Sequence, residues 1–189
     1  MRITRTQKAQ GLAYPLARVK DHLRVSDGNE DGLVSAYINA AVDFIATYTW
    51  IYLQSTSYTA YLDDWESETI IKMHPVTAIS SIKYYDANGT LQTMSAGTDY
   101  YVSLNGAYAR INFENTYTLR DQPYDNIEIA FTCGYASHFE IPDDLVDALL
   151  MLVSDMFENR QSFSQGVREV DVPMGIKAIL NNNSKRTFC

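Results

Sequence analysis

The residue types best suited to nucleophilic chemistry come together once in this chain, where Cys133 is followed by His138. A thiol with an imidazole base in hydrogen-bond reach can attack an acyl carbon, so a small hydrolase is the first reading to weigh. The context argues against it. No Gly-x-Ser-x-Gly, Walker-type loop or Gly-x-Gly-x-x-Gly occurs, and a cysteine at a strand end is ordinarily a small packed residue. His22 and His74 share neither i, i+4 nor His-x-His spacing with His138, so no metal site is read from them. Asp63, Asp64, Glu66 and Glu68 surround Trp65, but they lack the ligand spacing and glycine of an EF-hand. That cluster reads as a solvated turn between strands, with an adventitious cation site as the alternative. No catalytic residue, metal ligand or cofactor is assigned. The chain is read as a non-enzyme that acts through its surfaces.

Composition bounds the rest. The 189 residues are 46% hydrophobic and 20% charged, ordinary for a folded protein rather than a disordered one. Net charge is −8, unevenly spread: residues 1–24 carry Arg2, Arg5, Lys8, Arg18, Lys20 and Arg24 against Asp21 alone. An acidic body repels duplex DNA, so DNA passing by without sequence-specific binding is expected, rather than a DNA reader. The cysteines, Cys133 and Cys189, form no Cys-x-x-Cys pair, which points to neither a disulfide framework nor zinc. No apolar run is long enough for a membrane span, and no secretory pattern is read.

The elements that would position these residues follow from periodicity. Residues 1–13 read as a flexible basic arm. Pro15 opens a short helix with Leu16, Val19 and Leu23 on one side, and a second helix runs to Thr49. Its apolar rows are Leu33, Tyr37, Phe44, Tyr48 and Val34, Ile38, Ala41, Ile45. From 51 to 135 the period shortens to that of strands. Runs at 57–62, 69–73, 79–85, 100–104, 107–113 and 127–132 give at least six strands, and 11 of the 14 tyrosines fall in this region. Asn105-Gly106 predicts a type I′ hairpin, and Asp86-Ala87-Asn88-Gly89 a turn before it. Pro142 then opens a helix to about Arg160, with Asp143, Asp144 and Asp147 near its positive end. Leu145, Val146, Leu149, Leu152, Val153, Met156 and Phe157 cover half its circumference. Gln161 to Asp171 reads as a loop, and Pro173 starts a last short helix ending at Asn181-Asn182-Asn183.

The expected fold is α+β: a small bundle of about four helices with an inserted antiparallel β-rich segment, sandwich- or barrel-like. Its parts are the arm at 1–13, a helical core of 14–50 plus 136–182, the β-rich insertion at 51–135, and a polar tail at 183–189.

Several stretches in this order resemble the head–tail connector proteins of tailed phages, the gp6-like adaptor or head completion family. They are Pro15-Leu16-Ala17-Arg18-Val19-Lys20-Asp21-His22-Leu23-Arg24-Val25, His74-Pro75-Val76 with Ile79 to Gly89, and Phe131-Thr132-Cys133-Gly134-Tyr135. Ile141-Pro142-Asp143-Asp144-Leu145, Glu158-Asn159-Arg160 and Val172-Pro173-Met174-Gly175-Ile176 complete the set. The resemblance implies a structural subunit of the virion neck, made in the host cytoplasm. It also implies a homo-oligomeric ring of about a dozen copies below the portal protein, which extends the DNA channel and docks tail or stopper proteins. By the same resemblance Pro173, Met174, Ile176, Ile179 and Leu180 dock on the portal. Cys133 departs from it, standing where a small residue such as alanine is expected. The competing reading is a carbohydrate- or receptor-binding virion module built on the tyrosine-rich strands.

Overall fold

The structure, a computed structural model, describes residues 1–7, 10–159 and 173–185. The chain divides into two units. One holds Met1–Ala9 and Ser55–Gly134; the other holds the described part of Gln10–Gln54 and Tyr135–Cys189.

Strands of the first unit are β1 (Arg2–Gln7), β2 (Thr56–Leu62), β3 (Glu68–Ile71), β4 (Val76–Tyr85), β5 (Leu91–Thr93), β6 (Tyr100–Ser103), β7 (Ala109–Phe113) and β8 (Ile127–Cys133). They form two open antiparallel sheets, β1-β2-β8-β4-β5 and β3-β7-β6. The sandwich-like expectation therefore holds and the barrel-like one does not, since neither sheet closes on itself among the described residues. Strict alternation places Tyr58, Ala60 and Leu62 of β2 and Ile127, Ile129, Phe131 and Cys133 of β8 inward. Tyr58 and Phe131 are register partners, and their rings stack at 5.7 Å. The β4–β8 register shifts twice, leaving Thr77 and Ser80 as extra residues. These bulges break the period of β4 at its start, so its buried residues alternate only from Ile82 on. Trp65 fastens the sheets together. Its ring meets Tyr84 of β4 at 5.7 Å and Phe113 of β7 at 5.1 Å, and its Nε1 donates to Tyr117 O at 2.8 Å.

Two local expectations need correction. Arg2–Gln7 is no arm but an edge strand, paired with β2 from Arg2↔Tyr61 to Gln7↔Ser57; beyond it, Ala13 is buried in the helical core. β6 and β7 are joined by residues 104–108, and neither Asn105 nor Gly106 takes a positive φ, so no type I′ turn forms there. The earlier turn does form. Gly89 has φ +77°, and the Asp86 side chain accepts from the amides of Asn88 and Thr90.

Helices of the second unit are α1 (Leu16–Leu23), α2 (Asp31–Thr49), α3 (Asp143–Glu158) and α4 (Met174–Asn183). Of the two apolar rows on α2, the Val34–Ile38–Ala41–Ile45 row is fully buried, while Tyr37, Phe44 and Tyr48 pack at its flank. Leu145, Ala148, Leu149, Leu152 and Val153 of α3 and Val19 of α1 complete the core. The helices before and after the insertion thus close on each other. Ile51 and Leu53 belong to this core as well, so the helical segment extends past residue 50. A Lys20–Asp31 ion pair ties the end of α1 to the first turn of α2, where the helix dipole favours the carboxylate. The expected loop at Gln161 to Asp171, the helix end at Arg160 and most of the polar tail lie outside the described residues.

Candidate functional site

Cys133 ends β8 with its side chain fully buried. Burial pushes its thiol up to about 12, so it stays protonated at neutral pH. That removes the nucleophile from the hydrolase reading. His138 sits on a short 3-10 turn, edge-on to Tyr14 at 5.8 Å and against Phe139 at 3.9 Å. His74 Nδ1 meets Ala107 O at 3.1 Å, and His22 is exposed on α1. Among the described residues no group of His, Cys, Asp or Glu is arranged to hold a metal ion.

The acidic cluster is the solvated turn joining β2 to β3, and its carboxylates work structurally. Asp63 accepts from the Asp125 amide, Asp64 from the Trp65 amide, and Glu68 pairs with Arg110 at 2.7 Å. Two buried polar residues brace the neighbouring loops. The Asp99 carboxylate accepts from the Ser95 amide, the Tyr117 hydroxyl and Asn115 Nδ2, which hold its pKa below the usual range. Asn126 donates to Asp63 O and Gln122 O and accepts from Arg120 Nε, whose guanidinium lies 3.8 Å from the Tyr85 ring centre. These are satisfied networks of the kind that rigidify loops. The tyrosines follow the same logic: Tyr58, Tyr84 and Tyr100 are buried, and Tyr117 serves Asp99. Nothing in them favours a sugar-binding face.

The residues singled out on the last helix part into two sets. Ile176 and Leu180, i and i+4, are fully buried in the helical unit's own core, and Ile179 packs at its margin. Pro173 and Met174 are exposed, Met174 to 87%. Polar bonds tie the far end of α4 to its own unit. Tyr48 donates to Asn181, Asn183 donates to Asp144, and the Lys185 amide donates to Thr49 O. The partner surface that this short helix requires is therefore supplied within the chain. A double Ile176→Asp, Leu180→Asp change would unfold the helical unit rather than test a contact.

What α4 leaves outside is Met174, Gly175 and Ala178, beside Met151 of α3, whose methyl would lie 3.8 Å from a Cβ placed on Gly175. Periodicity already puts Met151 in the wet strip of α3 with Asp147 and Glu158. Phe139, 85% exposed, carries no such signal, because a three-residue turn has no period to read.

A four-helix core carrying an inserted antiparallel two-sheet unit, with exposed apolar side chains rather than a catalytic cleft as its candidate site, defines a structural, surface-acting protein. The comparisons agree. The family model of the head completion proteins matches residues 15–182, and the chain belongs to that family, the head–tail connector class that the sequence resembles. Among solved structures, a chain of the neck of an empty gene transfer agent particle, computed with C6 symmetry, is 24% identical with a TM-score of 0.82. A chain of the virion of a native gene transfer agent particle is 24% identical at 0.81. A chain of a native particle's neck, computed with C12 symmetry, is 22% identical at 0.78. Each likeness covers 100% of this chain and 98% of the other, and together they establish the fold. No curated protein matches the sequence.

Proposed function

We propose that this chain is the head–tail connector subunit of a tailed phage or phage-like particle, assembled in the host cytoplasm and resident in the virion neck. Copies form a ring of about a dozen below the portal protein, prolong the DNA channel and present a surface to tail or stopper proteins. The observation that carries the reading is the family match across residues 15–182, which takes in every helix and every strand except β1. The structural likeness to chains of particle necks supports it. With a net charge of −8, the subunit offers few phosphate contacts to hold a duplex, which suits a channel that DNA slides through.

Portal docking falls on the α4 segment, divided by burial. Pro173 and Met174 make the contact, while Ile176, Ile179 and Leu180 hold the helix in place. Methionine is unbranched and polarizable, which suits an adaptable apolar contact. The test mixes the full-length chain with the portal protein encoded in the same genome, and reads native mass and negative-stain images. Decorated portals or stacked rings are expected. Persistent monomers that ignore the portal overturn the proposal.

A further inference from the structure

The sheet β3-β7-β6 has two free flanks, and they differ from the other sheet edges in a way that bears on ring closure. Strand edges present unpaired amides and carbonyls, and proteins ordinarily blunt them with charge, shortness or cover. β1 carries Arg2 and Arg5, and β5 is only three residues long. β6, Tyr100–Ser103, carries no charge, and Tyr101, Val102 and the following Leu104 are all exposed. Val102 is the telling residue. It lies on the buried face of its sheet, in one row with Ile111 and Thr69, which are 0% and 1% exposed; Val102 is 36% exposed. The row is covered until it reaches the β6 flank, where the cover stops.

The geometry points to a second copy of this chain as the cover: β6 of one subunit lies beside β3 of the next, so that the small sheet continues from copy to copy. This rests on the ring reading above. A closed ring needs two different complementary flanks on each copy, and opposite edges of one sheet are such a pair. β3 and β6 are each four residues long. Both run antiparallel to β7, hence parallel to one another, so a copy related by a small rotation presents its β3 to β6 as a parallel neighbour. The junction also brings the exposed Ile70 of β3 near Tyr101 of β6 on the outer face, an aliphatic–aromatic neighbour pair of the kind that stabilises sheets.

Cross-linking separates this from the connector reading. Ile70 and Ser103 both pair with Arg110, from its two sides. Within one copy they are two strand spacings apart, about 9–10 Å, which is beyond disulfide reach. Across the junction they are one spacing apart, about 5 Å. The full-length chain carrying Cys189→Ser with Ile70→Cys and Ser103→Cys is assembled on the portal protein and oxidised. A second variant with Ile70→Cys and Tyr101→Cys covers a shift of two residues. A reducible ladder of covalent multimers is expected from at least one variant. Val102→Lys, whose stem can lie along the apolar flank with the charge at the junction, is expected to lose rings while keeping the wild-type melting temperature. Rings that form without either cross-link, or Val102→Lys rings at wild-type yield, overturn this inference and leave the connector reading standing. Failure of the wild-type chain to form rings overturns both.

Discussion

Replacing Leu180 by alanine tests whether α4 is held by its own chain, and the size of the effect follows from its surroundings. Leu180 is fully buried among the helical core residues. Removing its methyl and methylene groups forfeits about 2 kcal/mol of transfer energy, and the cavity left behind raises buried Leu→Ala changes to about 2.7–5 kcal/mol. α4 is a ten-residue helix held by few side chains, so it can settle partly into the gap, and a value near 3 kcal/mol is expected. For a chain of this size each kcal/mol moves the melting temperature by about 2–4 °C, so the helical unit should melt roughly 10 °C lower. Circular dichroism at the helical band is the direct assay, with Met174→Ala as its counterpart. Met174 is 87% exposed, so its truncation should change stability by less than about 0.5 kcal/mol while weakening attachment to the portal. A shift of less than about 2 °C for Leu180→Ala would refute the docking of α4 on its own core. An equal loss of stability in Met174→Ala would refute the division of the segment into holding and contacting residues.

Two further outcomes follow from titratable groups in the β unit. The Ser95 amide, then the Tyr117 hydroxyl, depress the pKa of Asp99. A depressed folded value means the stabilisation is complete above the usual aspartate range and is lost as pH falls through the folded value. Urea midpoints should therefore fall on acidification below about pH 4, and Asp99→Asn should be weaker at neutral pH and show a shallower acid limb; an unchanged limb would remove Asp99 from the account. In a Cys189→Ser background, Cys133, whose thiol burial pushes up to about 12, should resist iodoacetamide at pH 8 until urea unfolds the β unit. Labelling at the rate of a free thiol before unfolding would contradict its burial.

Legibility in the sequence tracked how each element is stabilised. α2 and α3 could be read because burial of one face imposes a period, and the rows named from that period are the rows in the core. The strands from β2 to β8 announced themselves through alternation, and the Asp86–Gly89 turn through the one residue that tolerates its positive φ. β1 gave no such signal. Its sequence Arg-Ile-Thr-Arg-Thr-Gln is wet on nearly every side chain, and what makes it a strand is backbone pairing with β2, which leaves no mark on residue type. The Asn105-Gly106 signal failed for the converse reason. Local preference for a tight turn is worth little against the sheet register, which ends β6 at Ser103 and starts β7 at Ala109.

The candidate site divides along the same line. Sequence by itself determined that no catalytic constellation is spelled out, that helices flank a β insertion, and that a short apolar helix after Pro173 must dock on something. Only the tertiary structure decided on what. Ile176 and Leu180 have the same character as any docking residue, and whether they meet their own core or another protein depends on where α2 and α3 place their buried faces. The exposure of Met174, Phe139 and Val102 is likewise a property of neighbours rather than of residue type. An apolar side chain is marked as a contact surface by the absence of cover, and cover is supplied by segments far away in sequence.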